Sequence, residues 1–276
     1  KASHAADFVP DANSALTRLD AASGTGSTLR MCKTCGDTKH KPELSRRGLL
    51  WTGALAALSP WAIGDALAAD PPKPAAAPAA NAIAPSEALK RLMEGNARYA
   101  ANKPEQKDFS AGRAARAQGQ APIAAILSCA DARVAPEFAF DQAPGELFVT
   151  RVAGNILTPD LLASFEYGVE FLGIPLVMVL GHSGCGAVDA AIKRLKDKIV
   201  LPGHLPELIG AIKPSVAVAE KSKTGNLLDN AIAENVRRQV AQLKAAAPIV
   251  QKSYEAKKID IVGAVYDIPT GKITLV

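Results

Sequence analysis

Two stretches of the chain are apolar runs that stop abruptly in small polar residues. Residues 123–128 read Ile-Ala-Ala-Ile-Leu-Ser and run into Cys129-Ala-Asp131-Ala-Arg133; residues 175–180 read Pro-Leu-Val-Met-Val-Leu and run into Gly181-His182-Ser183-Gly184-Cys185-Gly186. Short runs rich in Ile, Leu and Val, with no polar alternation, predict strands buried on both faces, as in a parallel sheet. Residues 147–150 and 259–265 predict two more strands, and the turn at Ile268-Pro269-Thr270-Gly271 leads into a short terminal one. Between these runs the period lengthens. Leu89, Leu92, Met93 and Tyr99 share one helix face behind an N-cap at Ser86. A short helix is predicted over 136–140. A longer one over 159–172 starts at Thr158 or Pro159 and is closed by Gly173. Another runs from Gly184 to about Lys196, and two long amphipathic helices cover 206–221 and 227–252, broken at Gly225-Asn226. Strands alternating with helices predict an α/β domain, a mainly parallel β-sheet flanked by helices. Sheets of this kind place their sites outside the carboxyl ends of the strands, which is where both polar clusters fall.

The chain ahead of this domain reads differently. Residues 1–44 are small and polar without apolar periodicity, a disordered leader in which Met31 is the expected natural start. Cys32-Lys33-Thr34-Cys35 is a CxxC, but no second pair follows and no βαβ pattern surrounds it. It reads as part of the polar leader, not as a redox motif or half of a zinc site with His40. Ser45-Arg46-Arg47 then opens an apolar stretch that ends in Ala66-Leu67-Ala68, so residues 45–69 have the charged, apolar and small-residue order of a twin-arginine export signal. Ser59-Pro60, Gly64 and Asp65 interrupt it and argue against a spanning helix. The expected location is the periplasm, with membrane contact only during export. Residues 70–85 form a Pro/Ala-rich linker, and 86–276 the folded domain.

With 276 residues, 48% apolar and 21% charged, the chain is long enough for a sizeable globular core. A net charge of +5 with no long basic run leaves no nucleic-acid footprint. Four cysteines are too few for a disulfide scaffold.

The chemistry lies in Cys129, His182 and Cys185. A free cysteine is usually a small buried hydrophobe, but both of these sit beside a polar cluster at a strand end. His182 and Cys185 share one tight turn, which Gly181, Gly184 and Gly186 permit. Two thiols and an imidazole make three corners of a tetrahedron, the open form of a zinc site with the fourth position left for water. The same glycines loosely suggest a phosphate loop, but not in GxGxxG order and with no acidic residue in the expected place. Asp131 and Arg133 lie two apart, so on extended backbone they point the same way. They form either a surface ion pair or a bidentate grip that fixes the carboxylate beside the metal. His4 and His204 have no partner motif, and His204 reads as solvated in a Pro/Gly loop.

Taken in order and at this interval, Cys129-Ala-Asp131-Ala-Arg133 and His182-Ser183-Gly184-Cys185 resemble the motifs of the β-class carbonic anhydrases. The resemblance continues through Gly145-Glu146-Leu147-Phe148-Val149-Thr150-Arg151-Val152-Ala153-Gly154-Asn155 and the helical stretch 88–99, and covers 86–276. It implies Zn2+ held by Cys129, His182 and Cys185, with Asp131 either orienting the zinc-bound water or ligating the ion, and Arg133 controlling which. It implies reversible hydration of carbon dioxide to bicarbonate and a proton by zinc-bound hydroxide, with neighbours such as Val134 lining a small dry pocket. It also implies a homodimer or higher even oligomer, with the first helix packed on a partner subunit. The family's glutamine falls near Gln142. Some members hold an inhibitory bicarbonate with a Trp, an Arg and a late Tyr; Arg151 and Tyr266 match, but Ile126 stands at the Trp position. Two alternatives remain: a hydrolase of carbon disulfide or carbonyl sulfide on the same scaffold, and a non-catalytic zinc-stabilised binding module. The Asp131–Arg133 pair argues against the second.

Overall fold

The computed structural model describes residues 82–276. His4, the leader, the CxxC, the twin-arginine segment and most of the linker lie outside them. Five strands, β1 (Ala124–Ser128), β2 (Leu147–Arg151), β3 (Leu176–His182), β4 (Asp260–Tyr266) and β5 (Ile273–Leu275), form one sheet in the order β2-β1-β3-β4-β5. β1 to β4 are parallel, and β5 returns antiparallel along β4. The two motif-bearing strands are central, and every residue of β1 and β3 is buried.

Alternation along these strands divides the core into two layers. Ile126, Leu176, Met178 and Leu180 face α1 (Pro85–Ala100) and α3 (Pro136–Ala139). Leu127, Val177, Val179 and Ile261 face α4 (Pro159–Phe171), α8 (Leu227–Lys244) and α9 (Ile249–Glu255). A third apolar cluster, beyond the strand ends, joins Cys129 and Cys185 to α5 (Gly186–Lys196), α6 (Leu205–Gly210) and α7 (Lys213–Ala219). The α/β architecture and mainly parallel sheet agree with the sequence pattern.

Several boundaries differ. α1 begins at Pro85, with Ala84 and not Ser86 at the N-cap; proline is pre-organised for the first helical position. Its apolar face, expected to pack on a partner, packs on its own chain: Leu92 is fully buried, and Leu89, Met93 and Tyr99 lie against the same core cluster. The 206–221 helix is two, α6 and α7, because Pro214 lacks the amide that a continuous helix needs there. Pro248 likewise separates α8 from α9 within 227–252. α5 starts at Gly186, two residues late, because 182–185 form a turn. One short helix, α2 (Arg113–Arg116), lies in a stretch where none was expected.

The segment after α1 is tied down by Asp141, whose buried carboxylate accepts from Arg98 Nε at 2.6 Å, from the Glu105 amide at 3.1 Å and from Lys107 Nζ. Burial opposes its ionisation, but the bonds from Lys107, Arg98 and Glu105 outweigh that and hold its pKa below the usual carboxylate value.

Candidate metal centre

β1 and β3 pair in register up to Ser128 opposite Leu180, so Cys129 leaves the sheet next to the end of β3 that carries His182. The turn after His182 brings Cys185 back toward the same point. It needs Gly184 at φ +64, a conformation that a Cβ strains, and it delivers Cys185 as the N-cap of α5. The ligand atoms of Cys129, His182 and Cys185 all lie within 4.8 Å of one another. All three residues are buried, with no more than 4% of any exposed.

The geometry fits a metal. His182 Nδ1 sits 3.0 Å from the Ser183 carbonyl oxygen, which fixes the tautomer with Nδ1 as donor and leaves the Nε2 lone pair pointing at the sulfurs. Nε2 is buried and has no hydrogen-bond partner among the described residues, a state that is costly unless something else satisfies the nitrogen. An imidazole nitrogen and two thiols are the donor set of a borderline-soft divalent ion.

Electrostatics favour the ligand state at Cys129 alone. The Cys185 thiol beside Cys129 brings the Cys129 pKa down to about 4, helped by His182 and by the Gly154 amide. The bond to Cys129, together with burial, pushes Cys185 up, and the amides of Ala187 and Val188 at the start of α5 pull the other way. The pair therefore favours one negative charge over two. For His182, burial disfavours the charged form, but the nearby Cys129 sulfur, the Ser183 carbonyl and the Asp131 carboxylate outweigh it and raise the pKa.

Asp131 and Arg133 meet as a pair, but not on extended backbone. The chain turns after β1, with the Val134 amide donating to the Asp131 carbonyl at 3.0 Å. Inside that turn Asp131 Oδ1 accepts from both the amide and Nε of Arg133, each at 2.9 Å, and Oδ2 accepts from Nη2 at 2.8 Å. These bonds hold the carboxyl well below the usual carboxylate range. Oδ2 also lies 3.8 Å from His182 Nε2, so the dyad borders the cluster.

The other sequence candidates fall elsewhere. Arg151 donates to the carbonyls of Cys129 at 2.9 Å and Asp131 at 2.6 Å, holding the shape of the ligand-bearing turn. Gln142 is buried and donates to the Phe140 carbonyl at 2.7 Å; it lines a cavity of about 280 Å³ with Tyr99, Phe109 and Phe138. Tyr266 lies opposite His182 in the β3–β4 register, but its hydroxyl meets that of Tyr99 at 3.2 Å; burial and that bond raise its pKa to about 12. Val134, expected to line a pocket, is fully buried in the core. His204 is exposed, as expected.

Sequence reasoning missed the turn Ala153–Asn155, whose Gly154 amide donates to Cys129 Sγ at 3.3 Å. It also missed the buried amides Asn235 and Gln239 of α8 that hold this turn. Their signal was present: two amide side chains four apart, among Ile232, Val236 and Leu243 on the apolar side of the helix.

A mainly parallel α/β sheet with a buried Cys–His–Cys cluster on adjacent strand ends is an arrangement that could hold a metal ion. The carbonic anhydrase family model matches residues 124–273, and the chain belongs to the carbonic anhydrase family. Carbonic anhydrase 2 of Mycobacterium tuberculosis is 36% identical over 192 residues, which is 69% of this chain and 92% of that protein. Among solved structures, the Coccomyxa β-carbonic anhydrase in complex with acetazolamide is 29% identical with a TM-score of 0.54, over 68% of this chain and 86% of that one. The β-carbonic anhydrase CcaA is 26% identical with a TM-score of 0.51, over 68% and 94%.

Proposed function

We propose that this protein is a β-class carbonic anhydrase that reversibly hydrates carbon dioxide to bicarbonate and a proton. The observation that carries the reading is the buried Cys129–His182–Cys185 cluster with an ionised, Arg-gripped carboxylate at its border. Cys129, His182 and Cys185 would hold Zn2+, which when bound lowers the pKa of water and supplies a nucleophile near neutral pH. The chain's own residues do the rest. The two sulfurs would offset the charge of the ion in this buried setting. Arg133 occupies both oxygens of Asp131, so the carboxylate is fixed in direction and stays charged. Asp131 Oδ2, on the His182 side, retains a lone pair to accept a hydrogen bond from the reacting water and turn the water's own lone pair toward the carbon of carbon dioxide. Arg151 keeps the turn rigid through its two carbonyl contacts.

The test is a stopped-flow hydration assay with carbon disulfide and carbonyl sulfide run in parallel. Rapid carbon dioxide hydration is the expected result; turnover of the sulfur substrates alone, or of none, would overturn it. We also infer a homodimer or a multiple of one. Phe138 and Phe109, 65% and 52% exposed beside the Gln142 cavity, offer apolar surface that a second copy would cover. The Ser45-Arg46-Arg47 opening of the apolar segment supports twin-arginine export to the periplasm. The double variant Arg46→Lys, Arg47→Lys should leave precursor in the cytoplasm on fractionation; normal export would exclude this kind of signal.

A further inference from the structure

Three buried polar side chains lie behind the metal cluster: Ser215 on α7, and Asn235 and Gln239 on successive turns of α8, none more than 2% exposed. Their hydrogen bonds form one closed set. Asn235 Oδ1 accepts from Ser215 Oγ at 3.4 Å and from Gln239 Nε2 at 3.3 Å. Its Nδ2 is thereby left to donate, and it donates to the Gly154 carbonyl at 2.8 Å. Gln239 Oε1 accepts from the Leu157 amide at 2.9 Å. Two side chains four residues apart on one rigid helix thus hold both ends of the connection between β2 and α4.

That connection is conformationally costly. Gly154 has φ +76 and Asn155 has φ +42, two consecutive residues in the left-handed region. A Cβ at Gly154 would come within 2.6 Å of Ile212 Cδ1. The result is that the Gly154 amide points at Cys129 Sγ, 3.3 Å away. The two ends of one residue are both committed, its N–H to the sulfur and its C=O to Asn235.

We infer that Asn235 is a positioning residue for the metal centre: by pinning the Gly154 carbonyl it holds the Gly154 amide on the Cys129 sulfur, which orients that ligand and moderates its donation to the ion. The idea rests on the metal reading of the cluster. An amide hydrogen bond draws electron density from a thiolate, and partners of this kind around a ligand set its orientation and affinity. Gln239 and Ser215 act one step further back, by fixing which way the Asn235 amide faces. The link runs from the middle of α8 to a ligand on β1, with the other two ligands left to the 182–185 turn.

The full chain loaded with zinc tests this through Asn235→Leu, which keeps the branched side-chain shape and removes the donation, and Ser215→Ala, which disturbs the same network but spares the Gly154 bond. Zinc release to a chelator should be ~10-fold faster or more in Asn235→Leu and near wild type in Ser215→Ala. With cobalt in place of zinc, the thiolate-to-metal charge-transfer band should move to longer wavelength in Asn235→Leu alone. If both variants lose thermal stability while zinc release and the cobalt band stay at wild-type values, the network is structural only and the inference is overturned. Cadmium-loaded wild-type protein gives a measurement that needs no variant: the Gly154 amide proton should show scalar coupling to the metal through the Cys129 sulfur, and its absence would overturn the link. Wild-type protein that binds no metal would instead defeat the metal reading itself.

Discussion

Arg133 grips Asp131 from two sides, with Nε on one carboxylate oxygen at 2.9 Å and Nη2 on the other at 2.8 Å, and it does so 3.8 Å from the free nitrogen of His182. The grip holds the carboxylate beside the ligand cluster without letting it enter. In Arg133→Ala the carboxylate is released and can take the open coordination position. Hydration activity should fall ~100-fold or more, the usual cost of losing orientation at a reacting group. Metal content should stay at wild type, with Asp131 as a fourth protein ligand by X-ray absorption. Full activity would reduce the pair to a surface contact, and loss of metal would show that Arg133 holds the turn together.

Metal content checks the cluster directly. Purified protein should carry one Zn2+ per chain, and Cys185→Ser should carry far less, because serine has neither the charge nor the softness of a thiolate. Elemental analysis decides it: zinc-free wild type or a fully loaded variant would sink the assignment.

Asp141 predicts an acid-sensitive tie. Removing its charge leaves Lys107 and Arg98 facing a neutral amide in a partly buried setting, so Asp141→Asn should cost about 2 kcal/mol in denaturant unfolding. The folded-state pKa of Asp141 is lowered relative to the unfolded carboxylate, near 3.9 in a free chain on the order of model peptides. Its contribution is therefore complete above the unfolded value and disappears as pH falls through the folded one. The gap between wild type and variant should be constant near neutrality and close in acid; a gap that persists in acid would assign the cost to packing.

Assembly can be tested at Phe138. If a second copy covers this ring, Phe138→Glu should weaken association by about 2 kcal/mol, roughly 30-fold. Light scattering at micromolar concentration should give a dimer or a multiple for wild type and a larger monomer fraction for the variant. A wild-type monomer would contradict the proposal.

What the sequence made legible follows from how local each signal is. β1 and β3 announce themselves because a strand buried on both faces has no polar alternation, and His182 and Cys185 because three residues on one turn must lie close. Cys129 joins them only through strand pairing, yet its place at a strand end was enough to put it there. Tertiary contacts decided the rest. The Asp131–Arg133 spacing fits either extended chain or a turn, and the side-chain bonds chose the turn. Pro214 and Pro248 mark breaks that apolar periodicity alone ran across. Asn235 donates to a carbonyl 81 positions away, a distance over which neither periodicity nor propensity carries information. The apolar face of α1 could be seen, but not whether its cover came from the same chain or another.

The three ligand atoms come from two strand ends about fifty residues apart in sequence, so any ion that joins them is also a cross-link. An ion that binds only the folded site stabilises it by mass action, about 4 kcal/mol when the free ion is roughly a thousandfold above its dissociation constant. Because Cys129 and His182 come together only when β1 and β3 are paired, the ion binds the folded chain and then resists separation of the strands. The stripped protein should accordingly unfold at lower denaturant than the loaded one, with the two central strands losing the most.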